Sequence, residues 1–255
     1  MGVWAAEPPG SRVTAERLDG GRWRLHGTRR WCWGARICTH ALVTANAPDG
    51  PRLFAFDLGT PGHRALPDSW PAIAMAASET LDVELDAMVA ELVGHVGAYL
   101  DRPGSEHGGV GVAACWYGGA RAVAGPLLDA AGRDRLDPHG LAHLGAVDLA
   151  PTVADTLLAT AAAQIDADPD DRSKGARARA LRVRAGVERT CAEVLEHVGR
   201  ALGAGPLCHD ARHARAVADL TVYTRRHHAE RDLARLGSLR AAEAAATCDP
   251  AKATR

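Results

Sequence analysis

Hydrophobic and polar positions change their period once along this chain. Up to about residue 100 they alternate in short runs, the pattern of half-buried strands. RVTAERL (12–18) is followed by Asp19-Gly20-Gly21 and then RWRLHG (22–27), where Trp23 and Leu25 alternate with Arg22, Arg24 and His26, a hairpin signal. HALVTANA (40–47) runs into Asp49-Gly50, and RLFAFDL (52–58) stops before Pro61-Gly62. PAIAM (71–75) and TLDVELD (80–86) complete the set. Five or six such runs at this spacing predict a small antiparallel barrel or sandwich.

After DRPGSEHGG (101–109) the apolar spacing lengthens to three and four. Trp116, Ala120, Val123 and Leu127 predict a helix over 108–132. Leu144, Val147, Ala150, Val153, Leu157 and Ala161 predict a second over 138–166, and Val183, Val187, Cys191, Val194, Val198 and Leu202 a third over 173–203. Ala216, Leu220 and Tyr223 predict a fourth over 207–236. Gly132, DPDDRSKG (168–175) and GAGP (203–206) interrupt the stripes. The expected class is therefore α+β. An N-terminal antiparallel β-barrel or sandwich over 1–100 precedes a C-terminal four-helix bundle over 104–240, with 241–255 as a frayed tail.

Charge narrows the function classes. Thirty basic against thirty-one acidic side chains leave a net charge of −1, which argues against a chain whose main task is holding phosphate backbone. The six cysteines are scattered, without a CxxC pair, which suits a reduced, cytoplasmic setting. MGVWAAEPPGSR has neither the basic nor the apolar region of a signal peptide. No run of about 18 uninterrupted apolar residues occurs, so no membrane partner is expected.

The densest chemistry is GRWRLHGTRRWCWGARICTHALVTA (21–45). Trp31 and Trp33 are two apart, so on a strand they share a face. That face is an apolar core, a domain interface, or a wall for a planar ring. A nucleic-acid platform built with Arg29, Arg30 and Arg36 fits poorly with a chain that is not basic elsewhere.

Several segments, in this order, resemble the acyl-CoA dehydrogenase superfamily of flavoproteins. AAEPPGS (5–11) resembles the Thr-Glu-Pro segment that opens the family's middle β domain, and GTRRWCW (27–33) its Gly-x-Lys-x-Trp-x-Thr/Ser segment. AMAASETLDVELDAM (74–88) resembles the end of that domain. GVAACWYGGARAVAGPLLDAA (111–131) resembles the first bundle helix, and GRALGAGPLCHDARHARAVADLTVY (199–223) the last. The resemblance implies a further N-terminal helical domain ahead of Val3, FAD as cofactor and a homo-oligomer, dimer or tetramer, formed through the bundle. It also implies a small-molecule substrate, an acyl thioester or a related compound, that undergoes α,β-dehydrogenation.

Carried over residue by residue, it assigns flavin contacts to Ala5, Ala6 and Ser11, to Trp31 and Trp33, and to Gly203 of the glycine-rich turn. Ala6 stands where a hydroxyl commonly meets the flavin, and Trp33 replaces a small donor. Gly109 falls where the family carries an arginine for the flavin pyrophosphate, with His107 the nearest cationic group. Asp219 matches the Asp of the last helix, and His227 falls at the position of the catalytic glutamate, which makes it the candidate base. Histidine there resembles the monooxygenase branch of the superfamily.

Two other function classes compete. One is a catalytically degenerate assembly subunit of the same fold, favoured by the lost donor and arginine. The other is a metal-binding bundle. His209, His213 and His227 fall on one stripe of the predicted last helix, and His139 and His143 lie one turn apart, yet the Glu-x-x-His pairs of a di-iron bundle are missing. No metal is therefore assigned.

Overall fold

The computed structural model describes residues 1–5 and 10–248. They fall into two compact units, divided between Arg102 and Pro103.

The described residues of the first unit form seven strands: β1 (Gly2–Trp4), β2 (Arg12–Arg17), β3 (Trp23–Cys32), β4 (His40–Ala47), β5 (Gly50–Asp57), β6 (His63–Leu66) and β7 (Leu81–Val93). The Asp19-Gly20-Gly21 signal does close the β2–β3 hairpin, pairing Arg17 with Trp23. Strands β4, β2, β3, β7 and β5 lie side by side, and β5 pairs again with β4, which closes a five-stranded barrel. Closure removes the exposed edges of an open sheet. The barrel is not wholly antiparallel as expected, because β1 and β2 both run parallel to β4. PAIAM is not a strand. Met75 adopts a left-handed conformation before a short 3-10 turn, Ala76–Ser78, so the alternation there is never extended into a ladder. Strands β1 and β6, of three and four residues, are too short to leave a period in the sequence.

The barrel core holds Val13, Leu25, Val43, Phe54, Val83 and Met88, with Trp23 packed on Phe54 at 5.4 Å between ring centroids. Two bulges reset which positions face it. Leu25 opposes Met88 but Gly27 opposes Leu85, so β7 carries one extra residue near Ala87. Inward positions in β7 accordingly change from Leu81, Val83 and Leu85 to Met88 and Ala90. Gly27 makes the crossing tight: its φ is 126°, and a Cβ there would collide with the Arg12 carbonyl of β2. Gly27→Ala is expected to lower barrel stability by about 2 kcal/mol, from backbone strain and the clash together. Urea denaturation measures this, and an unchanged midpoint would contradict the close approach.

The second unit contains α1 (Pro103–Gly132), α2 (Pro138–Ala167), α3 (Ala176–Leu202), α4 (Gly205–His209), α5 (Ala211–Tyr223) and α6 (Glu230–Cys248). Asp137 caps α2 by accepting from the Gly140 N–H, with Pro138 at the first helical position. The apolar stripes converge on a core of Trp116, Val123, Leu127, Val183, Val187, Cys191, Val194 and Leu220. The first three helices lie within a few residues of expectation. The fourth does not: Asp210 leaves helical conformation to cap α5, and the chain turns through Thr224–Arg226 into extended backbone at His227. α6 continues to Cys248, so residues 241–248 of the expected frayed tail are helical.

Candidate functional site

Two groups of residues carry chemistry, one in each unit. The first is the barrel rim at the end of β3. Arg29 opposes Val83 and Cys32 opposes Leu81, so β3 holds one residue more than β7 between these pairs. Trp23, Leu25 and Arg29 face inward, and an unbroken strand would send Trp31 and Trp33 after them. The extra residue reverses the phase. Trp31 takes a left-handed conformation, φ 59°, Cys32 becomes the fully buried residue, and both indoles turn outward at 56% and 42% exposure.

This rim is tied down from several sides. The Trp31 N–H donates to Asp82 Oδ1 at 3.1 Å, and the buried Trp4 indole donates to the Trp33 carbonyl at 3.0 Å. The Gly34 and Ala35 N–H groups donate to the Ser78 and Glu79 carbonyls at 2.9 and 3.0 Å. Arg29, wholly buried, donates from Nη2 to both the carbonyl and Oγ1 of Thr44, and Thr44 Oγ1 donates to the Ala5 carbonyl at 3.0 Å. Burial drives the Cys32 thiol well above its usual range, so it stays protonated and inert.

Of the residues assigned by resemblance, Ala5 and Ser11 lie close by in the chain of contacts. Ser11 is 7% exposed, gives its proton to the Thr28 carbonyl at 3.2 Å and accepts from the Arg30 N–H at 3.3 Å. A hydroxyl has one proton, and Ser11, just ahead of β2, spends it bracing β3 before Trp31. Ala6 lies outside the described residues. Gly203 is in the other unit, ending α3 with a φ of 62°.

The second group gathers where α1, α3 and the segment after α5 meet. Arg184 lays its guanidinium over the Trp116 ring at 4.7 Å, and Tyr223 meets that ring edge-on at 6.1 Å. The same guanidinium donates to the Arg226 carbonyl at 2.7 Å and the Gly109 carbonyl at 3.4 Å. Gly109, where an arginine was expected, is thus faced by one from α3. Sequence reasoning missed Arg184 because it lies seventy-five residues away. Burial lowers its pKa, partly countered by Asp232.

His227 is 8% exposed, and its Nε2 is buried with no hydrogen-bond partner among the described residues. Burial lowers its pKa, against the opposing pull of Asp232 and Glu188, so it is neutral at pH 7. Asp232 is pushed up by burial, but the His228 N–H and the neighbouring positive groups outweigh this and hold it low and ionised. The proposed histidine stripe does not exist. His209 ends the separate α4, His213 is buried on α5, and His227 lies beyond the end of that helix. On the outer face of α5, Arg212, Arg215 and Asp219 line an open depression of about 400 Å³.

The His227 environment sets a pH dependence. The unfolded chain takes up a proton at this residue near pH 6.5, and the folded chain only at lower pH. Stability of the helical unit therefore falls as pH drops through the unfolded value and levels off below the folded one. Unfolding midpoints measured at about pH 7.5 and about pH 5 should differ less in His227→Gln than in the wild type; equal differences would contradict the buried neutral imidazole.

No family model matches this chain, and no curated protein matches it. Several solved structures do share its fold. They include KijD3 in complex with FMN and dTDP-3-amino-2,3,6-trideoxy-4-keto-3-methyl-D-glucose, at 21% identity and TM-score 0.74, covering 87% of this chain and 60% of that one. TdsC from Paenibacillus sp. A11-2 with FMN and indole aligns at 19% identity and TM-score 0.77, covering 92% and 68%. The glutaryl-coenzyme A dehydrogenase glutaryl-CoA complex aligns at 19% identity and TM-score 0.74, covering 87% and 60%. The fold is that of acyl-CoA dehydrogenase-like structures, and the chain spans about 60% of the length of the first of these matches.

Proposed function

We propose that this chain is an acyl-CoA dehydrogenase-like flavoprotein, an oxidoreductase that uses FAD and acts on an acyl thioester or a related small molecule. The observation that carries this reading is the β3 bulge, which presents two indoles outward on a rim otherwise fixed by hydrogen bonds. A bulge that re-aims side chains is a recurrent device beside active sites. A planar, partly apolar ring is what such a surface suits.

In this reading Trp31 and Trp33 form the platform for the ring, with the Ala5 carbonyl tied to the same rim through Thr44. Ser11 holds β3 in place. A bound flavin would supply the two-electron acceptor for the hydride leaving the substrate β-carbon. His227 is the base for the α-proton: it is neutral near pH 7, and its Nε2 has no other hydrogen-bond partner among the described residues. Arg184 positions the segment that carries it through the Arg226 carbonyl.

The test is anaerobic addition of acyl-CoA to the chain loaded with FAD. Bleaching of the visible flavin band by the wild type, slowed at least about a hundredfold in His227→Asn, is the expected result for loss of a general base. Bleaching unaffected by the substitution would remove His227 from the reaction.

The reading includes a second copy of the chain. On α2, Leu141, Leu149 and Val153 are more than half exposed. Thr152, Thr156 and Thr160 turn their hydroxyls back onto carbonyls one turn earlier, so that face offers few free polar groups. By length and composition α2 could also cross a membrane, but the acids Asp148 and Asp155 are exposed on it, which favours a protein partner.

A further inference from the structure

We propose that His143 on α2 and His197 on α3 form a two-histidine site for a borderline divalent transition-metal ion, clamping the two helices together. Their Nδ1 atoms face each other at 2.9 Å, with ring centroids 5.2 Å apart and planes inclined by 49°. Both side chains are half-buried, so solvent ions reach them while neighbouring packing restrains their rotamers.

Two imidazoles at that distance share one proton: one ring must carry it on Nδ1 while the other presents a lone pair. Both nitrogens therefore address the same small gap. A metal ion to one side of the line joining them, with both rings tilted toward it, takes a lone pair from each ring, losing two waters. The donor ring changes to its Nε2–H tautomer, so no net proton leaves.

The spacing selects among ions. Imidazole nitrogens bind at about 2.0–2.1 Å, and two such bonds at a right angle put the nitrogens about 2.9 Å apart, whereas a tetrahedral angle needs roughly 3.3 Å. The observed separation therefore fits adjacent positions of a tetragonal or octahedral ion, the preference of Ni(II) and Cu(II). Zinc would require the rings to open by about 0.4 Å. No group of three or more metal-binding side chains occurs among the described residues, so the remaining positions go to water.

A rival arrangement exists on α2 alone, because the exposed His139 lies one turn before His143. The two are separated by titrating the full chain with Ni(II) and following helix unfolding by circular dichroism. At about a hundredfold excess over the dissociation constant, the wild-type melting temperature should rise by about 5 °C or more. The rise should disappear in both His143→Asn and His197→Asn, persist in His139→Asn, and be absent with Mg(II), a hard ion that prefers oxygen. Equilibrium dialysis at room temperature, on protein whose helix content has been verified, should give one fewer Ni(II) per chain in His197→Asn than in the wild type. That count stands even if a substitution lowers the metal-free melting temperature. No shift in the wild type, a shift that survives His197→Asn, or one lost in His139→Asn would overturn the interhelical site.

Discussion

Replacing Trp116 with alanine should lower the stability of the helical unit by about 4 kcal/mol, the upper range for emptying a large aromatic site in a core. Trp116 has no exposed surface, Arg184 covers one ring face, Tyr223 meets its edge, and the Cys191 thiol donates to its carbonyl at 3.5 Å. The cavity would be lined by long helices that cannot close over it, so little of the loss is recovered by relaxation. A second cost follows from Arg184. Without the ring its half-buried guanidinium loses the aromatic face that compensates its desolvation. Trp116→Phe should cost much less, about 1–2 kcal/mol, because the smaller ring keeps most contacts and removes an indole N–H that has no acceptor among the described residues. Urea unfolding followed in the far ultraviolet gives both values, and a loss below about 1 kcal/mol in Trp116→Ala would contradict this packing.

The double substitution Trp31→Ala and Trp33→Ala should weaken flavin binding at least about a hundredfold while leaving barrel stability within about 0.5 kcal/mol. The asymmetry comes from exposure. Both rings are turned to solvent, so neither supports the core, and their indole area is free to be buried against a ligand. Each stacked ring contributes about 1 kcal/mol beyond its buried area, so two of them reach the stated factor with modest burial. Single substitutions should each lose about tenfold. A barrel that unfolds in the double variant would show the indoles to be structural; flavin affinity unchanged in a folded variant would show them to be bystanders.

Much of this architecture is legible in the sequence because it rests on period. The alternation in β2, β3, β4, β5 and β7 and the three-and-four spacing in α1, α2 and α3 all survive into the structure. Period fails where one residue is inserted. Counting by twos places Trp31 and Trp33 beside the buried Arg29, and only the bulge opposite β7 sends both out to solvent. Nothing local in GTRRWCW marks that insertion, because it is defined by the register of a strand fifty residues later. The broken fourth helix has a local sign that composition masks: Asp210 is a good cap in the middle of an otherwise helical run. Arg184 against Gly109 and His143 against His197 are pairs made by helix packing, and their partners lie too far apart in sequence for any motif to join them.

The presence of a flavin platform on the barrel is the claim on which the functional reading turns. Adding FAD, and separately FMN, to the purified chain while following flavin and tryptophan fluorescence tests it directly. Saturable quenching of both signals, with the visible flavin band perturbed and FAD bound the more tightly, is the predicted result. Free-flavin spectra and unaltered tryptophan emission across the titration would contradict it.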